Sequence, residues 1–344
     1  MKKLLVVFFL LYFSIALYAE LPKVLDTFEP EYFHNKVNAV RVGIDDEKLF
    51  IFQPDDPKPA TASVVLFLRG WTFHAPSFYQ SWINHIVRRG HIVIFPEFQG
   101  NGSSAKDFTI NAARSLKEGL RFLEDRKGVI PDRENMIILG HECGAVIAAN
   151  LAVINKRIKL PVPKALMLIE PSRSPSDEEG TAIPLANLSK IKQDTYLLMV
   201  VGEDDTKNGM GTAIDLFYRC SGIPSDNKIF LTALTDVRGV PALVGDSISP
   251  TAPNWRESER AIEKYKNDFI RSYRDPFNNR ILRGKGVDFQ DFSGFWRLFD
   301  KLCYVGFNGF YRDSFFLEKN PDFRTLGKFS DGRAIRGFLA TKRP

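Results

Sequence analysis

Short apolar runs alternate with amphipathic stretches from residue 39 to residue 234. The runs at 39–44 (AVRVGI) and 48–54 (KLFIFQP) have strand-like composition. Residues 62–71 (ASVVLFLRGW) form an apolar run that closes at Gly70-Trp71, the pattern of a strand buried on both faces. Residues 77–90 (SFYQSWINHIVRRG) carry apolar side chains at helical spacing and close on a glycine. The alternation continues with a strand at 91–96, an amphipathic helix at 111–126, a strand at 135–140 and a helix at 144–154. Further strands are predicted at 164–171, 195–202 and 227–234. Buried runs separated by helices imply an α/β fold built on a doubly wound, mainly parallel sheet. Only 23 residues separate Pro171 from Thr195, too few for a large lid domain. The last stretch, 250–344, is rich in Phe, Arg and Asp, and one helix is predicted in it at 289–304. Its aromatics (Phe289, Phe292, Phe295, Trp296, Phe307, Phe310, Tyr311, Phe315, Phe316) call for burial, so it is expected to pack on the same core, with any exposed remainder marking a partner surface.

The amino terminus changes the picture. Lys2 and Lys3 precede an apolar run from Leu4 to Tyr18, shorter than the roughly 20 residues a bilayer span needs. The pattern is that of a secretory leader cleaved after Ala19. Residues 1–19 are therefore expected to be a signal peptide and 20–344 one exported domain, periplasmic or extracellular, without a transmembrane segment. Charge adds little: the formal net charge is +6, about +4 once Lys2 and Lys3 are removed, and the charges are interspersed. A nucleic-acid binder would show a clustered basic stripe. Three cysteines, Cys143, Cys220 and Cys303, allow one disulfide, and Cys220 with Cys303 is open as a pair. No spacing suggests a metal site, and no cofactor is called for.

The chemistry concentrates in residues 137–149 (IILGHECGAVIAA), a strand that turns through Gly140-His141-Glu142-Cys143-Gly144 into a small-residue helix. This is the outline of a nucleophile elbow, G-x-S-x-G, with Glu142 where the serine normally stands. With the stretches LFLRGW, FYQSWINHIVRRGHIVIFPEFQG, VVGEDD, TDVRGVPALVGD, DFSGFWRLFD and LGKFSDGRAI, the chain resembles the α/β-hydrolase family, in particular a bacterial extracytoplasmic lipase- or esterase-like subgroup. The resemblance covers most of the chain after residue 60. It implies a catalytic serine on the elbow, an acid after a late strand and a histidine after the last strand. Asp205, in VVGEDDT, fills the acid position. The histidine positions read Asp236-Val237-Arg238-Gly239 and Gly245-Asp246-Ser247. The five histidines are His34, His74, His85, His91 and His141, so none follows the elbow.

Two catalytic readings survive in outline. Glu142 could act as a covalent carboxylate, but a histidine base is missing and a guanidinium such as Arg238 stays protonated. Cys143 stands one place past the elbow centre and reads as a buried structural thiol, while His141 should point away from the pocket. The oxyanion-loop region is Arg69-Gly70-Trp71, where relatives often show His-Gly. The expectation is therefore a chain that is not an enzyme: a catalytically degenerate α/β-hydrolase-like protein with a binding or structural role beside a protein partner in the cell envelope or extracellular space. The alternative is an active esterase or lipase-type hydrolase with an atypical site at Glu142. At the vestigial triad positions, Glu142, Arg238 and Asp205 are expected to form an ion network, since an arginine fork can satisfy two carboxylates.

Overall fold

In a computed structural model of the protein, the described residues are 21–24, 30–43, 48–73, 75–100, 102–126, 128–175, 180–205, 209–253 and 287–344. The expected leader (1–19) and His74 lie outside them. The strands are β1 (Lys36–Val42), β2 (Leu49–Asp55), β3 (Thr61–Leu68), β4 (Ile92–Pro96), β5 (Ile130–His141), β6 (Ala165–Ile169), β7 (Tyr196–Gly202), β8 (Lys228–Ala233), β9 (Thr325–Lys328), β10 (Ala334–Arg336) and β11 (Phe338–Thr341). The main helices are α1 (Gln80–Arg88), α2 (Phe108–Asp125), α3 (Cys143–Ile154), α4 (Gly209–Arg219) and α5 (Arg297–Asn308).

Nine strands form one sheet in the order β1-β2-β4-β3-β5-β6-β7-β8-β11. The run from β4 through β8 is parallel, and β1, β2 and β11 pair antiparallel at its two edges. This is the doubly wound, mainly parallel sheet that the alternation of runs predicts.

The two faces follow from side-chain alternation along each strand. On β3, Val64, Leu66 and Leu68 enter one apolar layer with α2, α3 and α4, whereas Val65 and Phe67 enter the other with α1 and α5. Every residue of β4 and β6 is buried, which explains why these strands read as unbroken apolar runs. Each fully buried Val, Leu, Ile or Phe contributes roughly 1.5–3 kcal/mol. Helix α3 is apolar on all sides and buried from Cys143 to Ala152, so it lies inside the molecule. Its start is pressed against strand backbone: a Cβ on Gly144 would lie 2.2 Å from the Leu68 carbonyl, and one on Gly140 2.4 Å from the Gly144 carbonyl.

The described part of the carboxy-terminal stretch, 287–344, packs on the second face, and residues 254–286 lie outside the described residues. Phe289, Phe295, Trp296, Phe315 and Phe316 are buried, while Phe310 and Tyr311 are exposed. The predicted helix at 289–304 is a run of wide π-helical turns (Asp291–Trp296) that continues into α5, which ends at left-handed Gly309. The late strands carry no apolar signature: β9 and β10 form a separate ribbon, and β11 extends the main sheet beside β8. Cys220 lies in the layer with α4 and Cys303 in the layer with α5, on opposite faces of the sheet. All three cysteines are free and buried, so the open disulfide pairing does not form. Among the described residues no helix is long and apolar enough to cross a membrane.

Candidate active site

The ends of β3, β5, β6 and β7 bring one group of side chains together. At the end of β5, Glu142 takes φ 47° and ψ −115°, a conformation that non-glycine residues rarely adopt and that marks a sharp strand-to-helix turn. Its amide donates to the Ile169 carbonyl at 2.9 Å, and its own carbonyl accepts from Ala145 and Ser172. The side chain folds back over the β3 loop, where Oε2 accepts the Trp71 amide at 2.9 Å. The Glu142 carboxylate thus lies between the elbow and the loop after β3. Helix α3 starts directly after it, and a helix amino terminus favours negative charge.

The neighbouring residues have distinct tasks. The Trp71 indole donates to Ser172 Oγ at 3.1 Å. Arg69 places its fully buried guanidinium against Glu97 at 3.1 Å, Gln99, the Gly70 carbonyl at 3.0 Å and the face of Phe98. The Cys143 thiol donates to the Arg69 carbonyl at 3.4 Å. His141 lies between Tyr79 and the loop after β8: its Nε2 is 2.8 Å from the Ser247 carbonyl, which can only accept, so Nε2 carries the proton and Nδ1 accepts from the Tyr79 hydroxyl at 2.7 Å. Tyr79 in turn accepts the Gly70 amide at 3.0 Å. Burial pushes the Tyr79 hydroxyl well above the ordinary phenol range. This chain ties the oxyanion loop, the elbow and the last loop into one unit, with both nitrogens of His141 engaged.

The expected ion network does not form. Arg238 donates through Nε and Nη2 to both oxygens of Asp236, at 2.8 and 2.6 Å, and also to the Ala334 carbonyl. Its side chain is 42% exposed, whereas Asp236 is buried. A carboxylate two residues away on the same turn competes successfully with acids across the site. Burial opposes the Asp236 charge, but hydrogen bonds from Arg238 and from the Arg336 amide outweigh it and bring the carboxyl down to about 2.

A residue that sequence reasoning did not single out stands at the next strand end. Glu170 follows β6, next in register to the elbow because His141 pairs with Ile169, and it also has φ 47°. Glu170 is buried, and Asp205 faces it from the end of β7. Burial first, and then the charge of Asp205, push the Glu170 carboxyl well above the usual carboxylate range, with the Gly202 amide acting in the opposite sense. The other two acids of the β7 turn have structural partners: Glu203 accepts the Thr235 amide and Asp204 the Thr235 hydroxyl. Only Asp205 of the three is turned toward Glu170. Asp246, in the final loop, adds further negative field at Glu170 while accepting from Ser249 and Ile248. The signal in the sequence was an acid terminating the apolar run LMLIEP, one strand over from the elbow. Among the described residues no group of His, Cys, Asp and Glu has the geometry of a metal site.

The chlorophyllase family model matches residues 23–203, a span that includes the oxyanion loop, the elbow, Glu170 and the end of β7. The chain belongs to the chlorophyllase family. Among solved structures it is similar to a fungal esterase from Rhizomucor miehei, with a TM-score of 0.48 and 11% identity over 69% of this chain and 85% of that one. No curated protein sequence matches it. Family membership corrects the expectation that the chain is not an enzyme. That expectation rested on the missing serine and histidine, yet the family match runs through the altered elbow and points to a hydrolase.

Proposed function

We propose that this protein is a carboxylic-ester hydrolase in which Glu142 replaces the serine nucleophile as a general base. The observation that carries the proposal is the Glu142 carboxylate itself, on a strained elbow, buried, and fixed by the Trp71 amide. Strained backbone persists where the surrounding structure enforces it, and such positions cluster at functional sites. The family match through this segment supports hydrolase chemistry, and the name of that family directs attention to ester bonds.

The chemistry balances without serine or histidine. Glu142 takes a proton from water, the resulting hydroxide oxygen bonds to the ester carbonyl carbon, and a tetrahedral oxyanion forms. As it collapses, the carbon–oxygen bond to the alcohol breaks and the proton on Glu142 passes to the departing alkoxide. Acid and alcohol leave, and Glu142 is again a carboxylate. Burial and the neighbouring Asp205 hold the Glu170 carboxyl in its neutral form well above the usual carboxylate range, so the next strand end contributes a neutral acid rather than a second negative charge. A positioned base of this kind contributes on the order of 10²–10⁴ in rate.

Short-chain acyl esters test the reading. The full chain should hydrolyse them and resist fluorophosphonates, which label activated serines. A single turnover in ¹⁸O-water should place the label in the product acid and none in Glu142. Label in Glu142 would replace the base by a covalent carboxylate, and the absence of ester turnover would end the proposal. The short apolar run behind Lys2 and Lys3 supports a second proposal, that the protein is exported and its mature chain starts near Glu20. Amino-terminal sequencing from the native host checks it, and a start at Met1 in the membrane fraction would contradict it.

A further inference from the structure

A second cluster of polar side chains lies at the opposite end of the sheet from Glu142. His91 stands just before β4 and Ser63 near the start of β3, with Ser63 Oγ 2.6 Å from His91 Nδ1. The His91 ring lines a cleft of about 150 Å³ with Phe33, Arg89, Cys303, Tyr304 and Phe307, where the end of α1 meets α5. A space of that size takes a single six-membered ring.

Its charges are already balanced. Arg89 Nε lies 3.6 Å from the Asp300 carboxylate, and the remaining guanidinium nitrogens donate to the Glu31 carbonyl at 2.7 Å and the Tyr304 hydroxyl at 3.2 Å. Because the Tyr304 oxygen accepts from Arg89, its own proton is available to another acceptor. Burial lowers His91 to about 4, so its imidazole is neutral at physiological pH, and Nε2 has no protein partner among the described residues. Burial likewise keeps Cys303 a thiol. Phe33 and Phe307 supply aromatic walls, Phe307 lying 5.6 Å from the His91 ring.

We propose that this cleft is a binding site for a neutral, single-ring phenol, whose hydroxyl meets Tyr304 and His91 and whose ring packs against Phe33 and Phe307. A phenol suits either tautomer of His91, because its hydroxyl accepts and donates. A carboxylate would face Asp300, and an unsubstituted ring would leave the polar groups of the cleft without a ligand partner. The site shares no residue with the elbow, so its fate is separable from that of ester hydrolysis.

Calorimetric and saturation-transfer titrations of the full chain with phenol, toluene and benzoate test the assignment. Phenol should bind at least about tenfold more tightly than toluene or benzoate, as one well-made hydrogen bond allows. Tyr304→Phe should bring phenol down to the level of toluene while leaving toluene binding and ester turnover unchanged. Tyr304 is exposed, so the variant should fold, and matched thermal melts verify this. Failure of phenol to bind, equal binding of phenol and toluene, preference for benzoate, or indifference of phenol to Tyr304→Phe would each overturn the proposal.

Discussion

At Gly70 a Cβ would lie 2.6 Å from Glu142 Oε2 and 2.7 Å from the Phe73 ring. The missing side chain is what lets the Glu142 carboxylate lie over the oxyanion loop and reach the Trp71 amide. Gly70→Ala should therefore displace the carboxylate, costing about 1–3 kcal/mol of stability through overpacking and depressing ester turnover more than ester binding. Denaturant melts with kcat and KM measured separately check this. Glu170 gives a prediction in pH. Its folded carboxyl titrates above the unfolded one, so the folded state binds the extra proton. Its contribution is fully present below the ordinary glutamate range and declines as pH rises toward the raised folded value. Glu170→Gln should match the parent in stability near pH 4 and exceed it at pH 8, read from thermal melts at both. A variant less stable than the parent at pH 8 would contradict a protonated Glu170. Residue identity alone located Glu142 and Asp205, but not their partners. Arg238 pairs with Asp236 because the nearer acid wins, and Glu170 reaches the site only through strand register, which composition does not encode.

Elements were legible in proportion to their burial. The central strands β3 to β8 announce themselves as apolar runs because both faces are covered, and α1 and α2 because one face is. Strand β11 has four residues, of which only Phe338 is buried, so it carries no period to read. It nevertheless pairs with β8 along its length and sends Phe338 against Phe295, 6.1 Å between ring centres. Phe338→Ala should cost about 3–5 kcal/mol, the range for emptying a buried phenylalanine site. Urea denaturation measures it, and a loss below about 1 kcal/mol would mean that β11 is not part of the cooperative core. The disulfide left open between Cys220 and Cys303 fails for a reason of layer: each sits under a different face of the sheet, a relation that spacing along the chain cannot show.

For the whole molecule, the sheet order sets the ends of β3, β5, β6 and β7 side by side, and the loops that follow them carry Trp71, Glu142, Glu170 and Asp205, with Trp71 meeting Glu142 and Asp205 facing Glu170. The chain has the α/β-hydrolase architecture and belongs to the chlorophyllase family, and its elbow reads Gly140-His141-Glu142-Cys143-Gly144. Reading the elbow as a lost serine–histidine pair suggested an inert scaffold, because such a pair fails as a unit. A carboxylate base does not need that pair. The most direct measurement is the rate of short-chain ester hydrolysis by the full chain and by Glu142→Gln, which keeps the side-chain shape and removes the base, with thermal melts matched. If Glu142 is the base, the variant should lose at least about 100-fold in kcat while remaining folded. Hydrolysis by Glu142→Gln at the parent's rate would contradict it.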